Sequence, residues 1–134
     1  MENLDLKKDF EKELIYKNET GKIIGICMEI HNNLRNGFRE VVYKDAIEKE
    51  FIWNNISFER EKKFKMTYKG VALRHYYVAD FIIDNKIILE IKAQRGAAEN
   101  DYRQVINYLS VASCKVGLLI NFGEPSLKFK RVVL

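Results

Sequence analysis

This chain has little proline, little cysteine and no long apolar run. Its single proline, Pro125, lies in the turn "NFGEPS", so no Pro/Gly-rich linker divides the 134 residues. There is no internal repeat and no low-complexity tract. The whole chain, 1–134, therefore reads as one domain, with the charged residues 1–18 as a loosely attached lead-in. The two cysteines, Cys27 and Cys114, are far apart in sequence. Two cysteines build neither a disulfide framework nor a four-cysteine metal site. A cluster held by cysteines alone is excluded by count, and both read as small buried hydrophobes. No apolar stretch approaches the about 20 residues that cross a bilayer. The N-terminal "MENLDLKKDFEKEL" lacks the apolar centre of a signal peptide. A cytoplasmic protein with no membrane partner is expected.

Hydrophobic residues are plentiful, at 47%, which argues for a folded core and against disorder. The net charge of +4 is mild, but its distribution is uneven. Residues 52–75 carry Arg60, Lys62, Lys63, Lys65, Lys69 and Arg74 against only Glu59 and Glu61. Lys128, Lys130 and Arg131 form a second cluster. Basic patches of this kind attract phosphate backbones. A solvated strand face explains the same charges, and charge alone leaves both readings open.

Apolar spacing predicts the elements. Ile23, Cys27, Ile30 and Leu34 recur at helical intervals within 20–35, with Thr20 placed to cap the start and "NG" at 36–37 to stop it. A second helix is expected over 38–53, with Val42, Ala46 and Ile47 inward and Lys44, Glu48 and Lys49 toward water. Strands follow at 56–68, where Phe64, Met66 and Tyr68 alternate with Lys63, Lys65 and Thr67, and then at 72–83 and 86–93. A helix over 97–112 turns Val105, Leu109 and Ala112 inward. Strands at 115–122 and 127–134 close the chain, the first apolar enough to be covered on both faces. The order is helix, helix, three strands, helix, two strands: an α/β fold with a mixed central sheet flanked by helices.

The segment "ADFIIDNKIILEIKA", 79–93, places Asp80, Glu90 and Lys92 in an apolar run. Burying a charge is costly unless it is paired or binds a metal. Strand alternation puts Glu90 and Lys92 on one face. A two-residue turn at Asp84–Asn85 would set Asp80 and Glu90 on opposite faces. A three-residue turn, 84–86, pairs Ile83 with Ile87 and Ile82 with Ile88, and brings Asp80 opposite Glu90 at about 5 Å between Cβ atoms. Carboxylates that close repel unless a cation lies between them. Oxygen ligands suit Mg²⁺ or Mn²⁺, and a neighbouring ammonium suits phosphodiester hydrolysis. A salt bridge from Lys92 to one acid is the plainer alternative.

Asp80 followed by Glu90-Ile91-Lys92 resembles the D…E-x-K core of the PD-(D/E)XK nuclease superfamily. "QVINY", with Gln104 and Tyr108, resembles the Q-x-x-x-Y motif of its RecB-like branch. "GFREVVY", with Gly37, Glu40 and Tyr43, resembles the name motif of the GxxExxY family in that superfamily. The resemblance runs from about residue 14 to the end. It implies a restriction-endonuclease-like core and a Mg²⁺- or Mn²⁺-dependent nuclease acting on DNA or RNA. It further implies Glu40, Asp80, Glu90 and the Ile91 carbonyl as metal ligands, Lys92 as the catalytic lysine, and Gln104 and Tyr108 flanking it. A nucleic-acid-binding or assembly module on the same fold is the rival reading. A homodimer or partner protein is expected to help so small a domain hold a long substrate.

Overall fold

The computed structural model describes residues 6–8, 11, 15–96 and 98–134. Its elements run α1 (Lys17–Leu34), α2 (Glu40–Trp53), β1 (Phe58–Tyr68), β2 (Val71–Ile83), β3 (Ile87–Lys92), α3 (Glu99–Ala112), β4 (Val116–Asn121) and β5 (Lys128–Val133). Of the expected lead-in, residues 1–5, 9–10 and 12–14 lie outside the described residues.

Helix α1 buries Ile23, Cys27 and Ile30, the stripe its spacing predicts. It begins three residues earlier than expected. Thr20 is buried within the helix, and its hydroxyl donates to the Lys17 carbonyl at 3.1 Å instead of capping. At the other end Arg35 (φ 63°) and Gly37 (φ 119°), not Asn36, take the positive-φ positions. The Arg35 carbonyl accepts the Tyr43 hydroxyl at 2.6 Å, a bond that holds this strained residue in place. Tyr43 stacks on Phe122 with ring centroids 4.4 Å apart.

Helix α2 is rotated from its expected setting. Tyr43, Ile47 and Phe51 form its buried stripe, where Val42, Ala46 and Ile47 were expected. Large side chains at i, i+4 and i+8 bury more apolar area than the smaller Val42 and Ala46, so they decide the rotation. The same rotation brings Lys44, expected in water, against the sheet.

The five strands lie in the order β1-β2-β3-β4-β5. Only β3 and β4 are parallel, because α3 carries the chain across between them. Helices α1 and α2 pack on Ile87, Leu89, Ile91, Leu118 and Ile120. Helix α3 packs its Val105 and Leu109 on Ile88, Ile82 and Val132 of the opposite face. Strand β4, buried on both faces, needs its near-continuous apolar run.

Two glycines make opposite demands. A Cβ at Gly123 would lie 2.1 Å from the Gln94 backbone nitrogen, where nothing can yield. A Cβ at Gly21, inside α1, would meet nothing within 4 Å. Gly123→Ala is expected to destabilise by about 1–3 kcal/mol or more, and Gly21→Ala to stabilise by about 0.5–1 kcal/mol. Urea denaturation of both variants checks the pair, and equal effects would contradict this packing.

Candidate active site

The turn at 84–86 has three residues, with Asp84 and Asn85 at positive φ, where Asp and Asn are tolerated. Ile83 pairs with Ile87, Ile82 with Ile88 and Phe81 with Leu89. One step further the ladder opens, and the expected pairing of Asp80 with Glu90 is not made. The Asp80 carboxylate enters the gap and accepts the Ile91 N–H on Oδ2 at 2.7 Å. Strand β2 changes facing at this point: Ala79 packs on the α3 side, whereas Phe81 packs toward α1 and α2.

Each acid has its own compensation. Asp80 Oδ1 accepts the Lys44 ammonium at 3.0 Å, and Lys44 also holds Glu61 at 2.6 Å. Glu61, between Arg60 and Lys62 of β1, takes φ 57° within its strand. Glu90 is buried, 7% exposed, and accepts the Tyr77 hydroxyl on Oε1. Burial first, and then the charge of Asp80, pushes the Glu90 carboxyl up to about 8. It therefore holds a proton near neutrality. Burial and the Glu90 charge likewise raise the Tyr77 and Tyr108 hydroxyls. Tyr77 lies between Phe64 and Tyr108, with its ring centroid 3.7 Å from that of Tyr108.

A profile of the PD-(D/E)XK nuclease superfamily matches residues 17–132. The chain belongs to the PD-(D/E)XK nuclease superfamily. Its fold is similar to that in the crystal structure of SSO0001, with a TM-score of 0.56 and 20% sequence identity. That match covers 69% of this chain and 48% of SSO0001, so the chain spans about half of that protein's length. No curated protein matches it.

Within this superfamily core, the residues singled out from the sequence divide into groups. Asp80, Glu90 and Tyr108 come together around Tyr77. Lys92 follows Glu90 on the same strand face, but its ammonium turns to Asp101 of α3 at 3.9 Å. Gln104 is exposed on α3. Glu40 is exposed at the start of α2, one turn before Lys44, and borders a shallow depression with it. Among the described residues no three His, Cys, Asp or Glu side chains form a ready metal cage. Of the basic strand residues, Arg60 is held by Asp45 at 2.8 Å and Glu48 at 3.0 Å, and Lys62 by Glu59 at 3.3 Å. Lys63 and Lys69 lie over Tyr76 and Tyr68, while Lys65 and Arg74 are exposed.

Sequence reasoning missed Lys44, Tyr77 and Asp101. Asp101, Gln104 and Tyr108 are spaced along one helical face, a signal that was available. Lys44 lies at i+4 from Glu40, also available, but its partners come from other elements.

The raised Glu90 value sets a pH dependence for the metal-free protein. Between the ordinary 4.5 and about 8 the native state keeps a proton that the unfolded chain has lost. Stability therefore falls as pH rises through that window and levels off above it. Thermal melts in chelator should show this slope, and Glu90→Gln should flatten it. An unchanged slope in the variant excludes Glu90 as its source.

Proposed function

We propose that this chain is a metal-dependent phosphodiesterase acting on nucleic acid. The observation that carries this reading is the Asp80–Glu90 pair, two carboxyl groups crowded at one opening in the sheet with Lys92 next on the strand. The donor set fits Mg²⁺ or Mn²⁺. It is all oxygen, and the crowding is relieved by a proton and a lysine where a divalent ion would serve. Asp80, Glu90, the Ile91 carbonyl and Glu40 would hold the ion. When bound, the ion supplies Lewis-acid polarisation of a phosphoryl oxygen and a more acidic water.

The chain's own groups do the rest. Lys44 orients the Asp80 carboxylate. Ligation requires both acids ionised, so loading is accompanied by release of the Glu90 proton. Lys92 leaves Asp101 to orient the attacking water and offset charge on the phosphate. Gln104 and Tyr108 flank it, as in the RecB-like branch, and Glu40 and Tyr43 fit placement in the GxxExxY family.

Beyond the short pairing with β3, the β1–β2 ribbon extends to Tyr68 opposite Val71. Residues 62–76 contain no acid and carry Lys62, Lys63, Lys65, Lys69 and Arg74, suited to phosphate backbones. Arg60 stands at the base of this ribbon. The function proposed is that of one cytoplasmic domain, with a second copy or a partner protein completing the grip on long substrates.

One observation favours a binding module instead: Lys44 already neutralises Asp80. A panel of linear, nicked, single-stranded and branched nucleic acids with Mg²⁺ and Mn²⁺ separates the readings. Cleavage is expected for wild type, with a loss of about 100-fold or more in Lys92→Ala and Glu90→Ala. Salt-sensitive binding without cleavage under any ion would reject hydrolysis and establish the module.

A further inference from the structure

Next to the acid pair, on the α3 face, lies a cavity of about 490 Å³. Its floor follows from register. Lys92 of β3 is beside Asn121 of β4, which is beside Lys128 of β5. In the next row Glu90 is beside Leu119, which is beside Lys130. Alternation puts all of these on the face covered by α3. Lysines therefore stand at both ends of this floor, Lys92 two residues beyond Glu90 and Lys128 and Lys130 on the last strand of the sheet.

The acids at the rim are already engaged. Asp101 accepts the Gln94 side-chain amide at 2.7 Å and lies 3.9 Å from Lys92. Glu99 accepts from Arg103 at 3.1 Å, and Glu124 accepts the Gly96 N–H at 3.2 Å. Lys128 has no acidic partner among the described residues, and Lys130 rests 4.0 Å over the Tyr102 ring.

The rim is also pre-formed. Asn121, 8% exposed, accepts the Gln94 and Gly123 N–H groups at 3.1 and 2.9 Å and donates to the Gln94 carbonyl at 2.9 Å. Pockets of roughly 300–1,000 Å³ take ligands the size of a nucleotide, not a double helix.

We propose that this cavity seats an unpaired nucleotide next to the scissile phosphate, with its phosphate on Lys128 and Lys130. The proposal rests on the phosphodiesterase reading. It makes the substrate a single strand or a single-stranded end, not a continuous duplex.

The test is binding of the full chain, in chelator so that nothing is cut, to a single-stranded DNA, its RNA counterpart and the blunt duplex, across a salt series. Wild type should prefer a single strand of at least one sugar type. Lys128→Ala with Lys130→Ala should weaken that binding roughly tenfold and reduce the salt slope by about 0.7, the value for one single-strand phosphate contact. Duplex affinity should change little. Both lysines are exposed, and the paired Lys→Gln variants repeat the test if the alanines disturb folding. Equal or tighter duplex binding by wild type, or unchanged single-strand affinity and slope in the variants, overturns the proposal. A failure here leaves Lys92-dependent cleavage standing. Absence of cleavage with the expected binding pattern removes the hydrolytic reading and keeps the cavity.

Discussion

The site is organised around two carboxyl groups forced together where β2 and β3 separate. Two charges at that distance in a low-dielectric setting repel strongly. The fold answers with three devices: a proton on Glu90, the Lys44 ammonium on Asp80, and the Ile91 N–H donated to Asp80. With a proton and a lysine in place the repulsion is relieved without a metal. A divalent ion would replace the Glu90 proton in that role, so the compensation and the proposed activity have one source.

The surrounding sheet makes this arrangement rigid. Strand β3 loses its neighbour on one side at Asp80 but stays paired with β4 as far as Lys92, opposite Asn121. The opening is thus local, and β4 holds Glu90 and Lys92 in position. Asn121 ties the segment after β3 to the turn after β4, and Gly123 allows the two backbones to come close. The superfamily core therefore supplies both the gap that admits the acids and the frame that fixes them. SSO0001 shares the fold at 20% identity, as expected when topology depends on apolar pattern more than on particular side chains.

Much of this was legible in the chain. Period-2 and helical spacing predicted the element order, and the choice between two turn lengths predicted the β2–β3 register, because only one grouped the apolar residues. Helix rotation was harder. In α2 the competing stripes differ by about one residue, and Phe51 and Tyr43 decide between them only once there is a sheet to pack on. Thr20 shows the same limit: its capping chemistry was real, but packing of Ile23 and Cys27 extended the helix past it.

The sequence by itself determined the fold class and the register of Phe81–Ile83 on Ile87–Leu89, because alternation and turn length are local properties; the opening of the ladder at Asp80 and the change of facing there came only with the structure. Tertiary structure decided which charges meet. Lys44 is 36 residues from Asp80, and Tyr77 is 13 from Glu90. Lys92 meets Asp101 across the sheet–helix boundary, and Lys128 joins its row only through β4. Electrostatic partners are set by distance in space, and no periodicity along the chain encodes that distance.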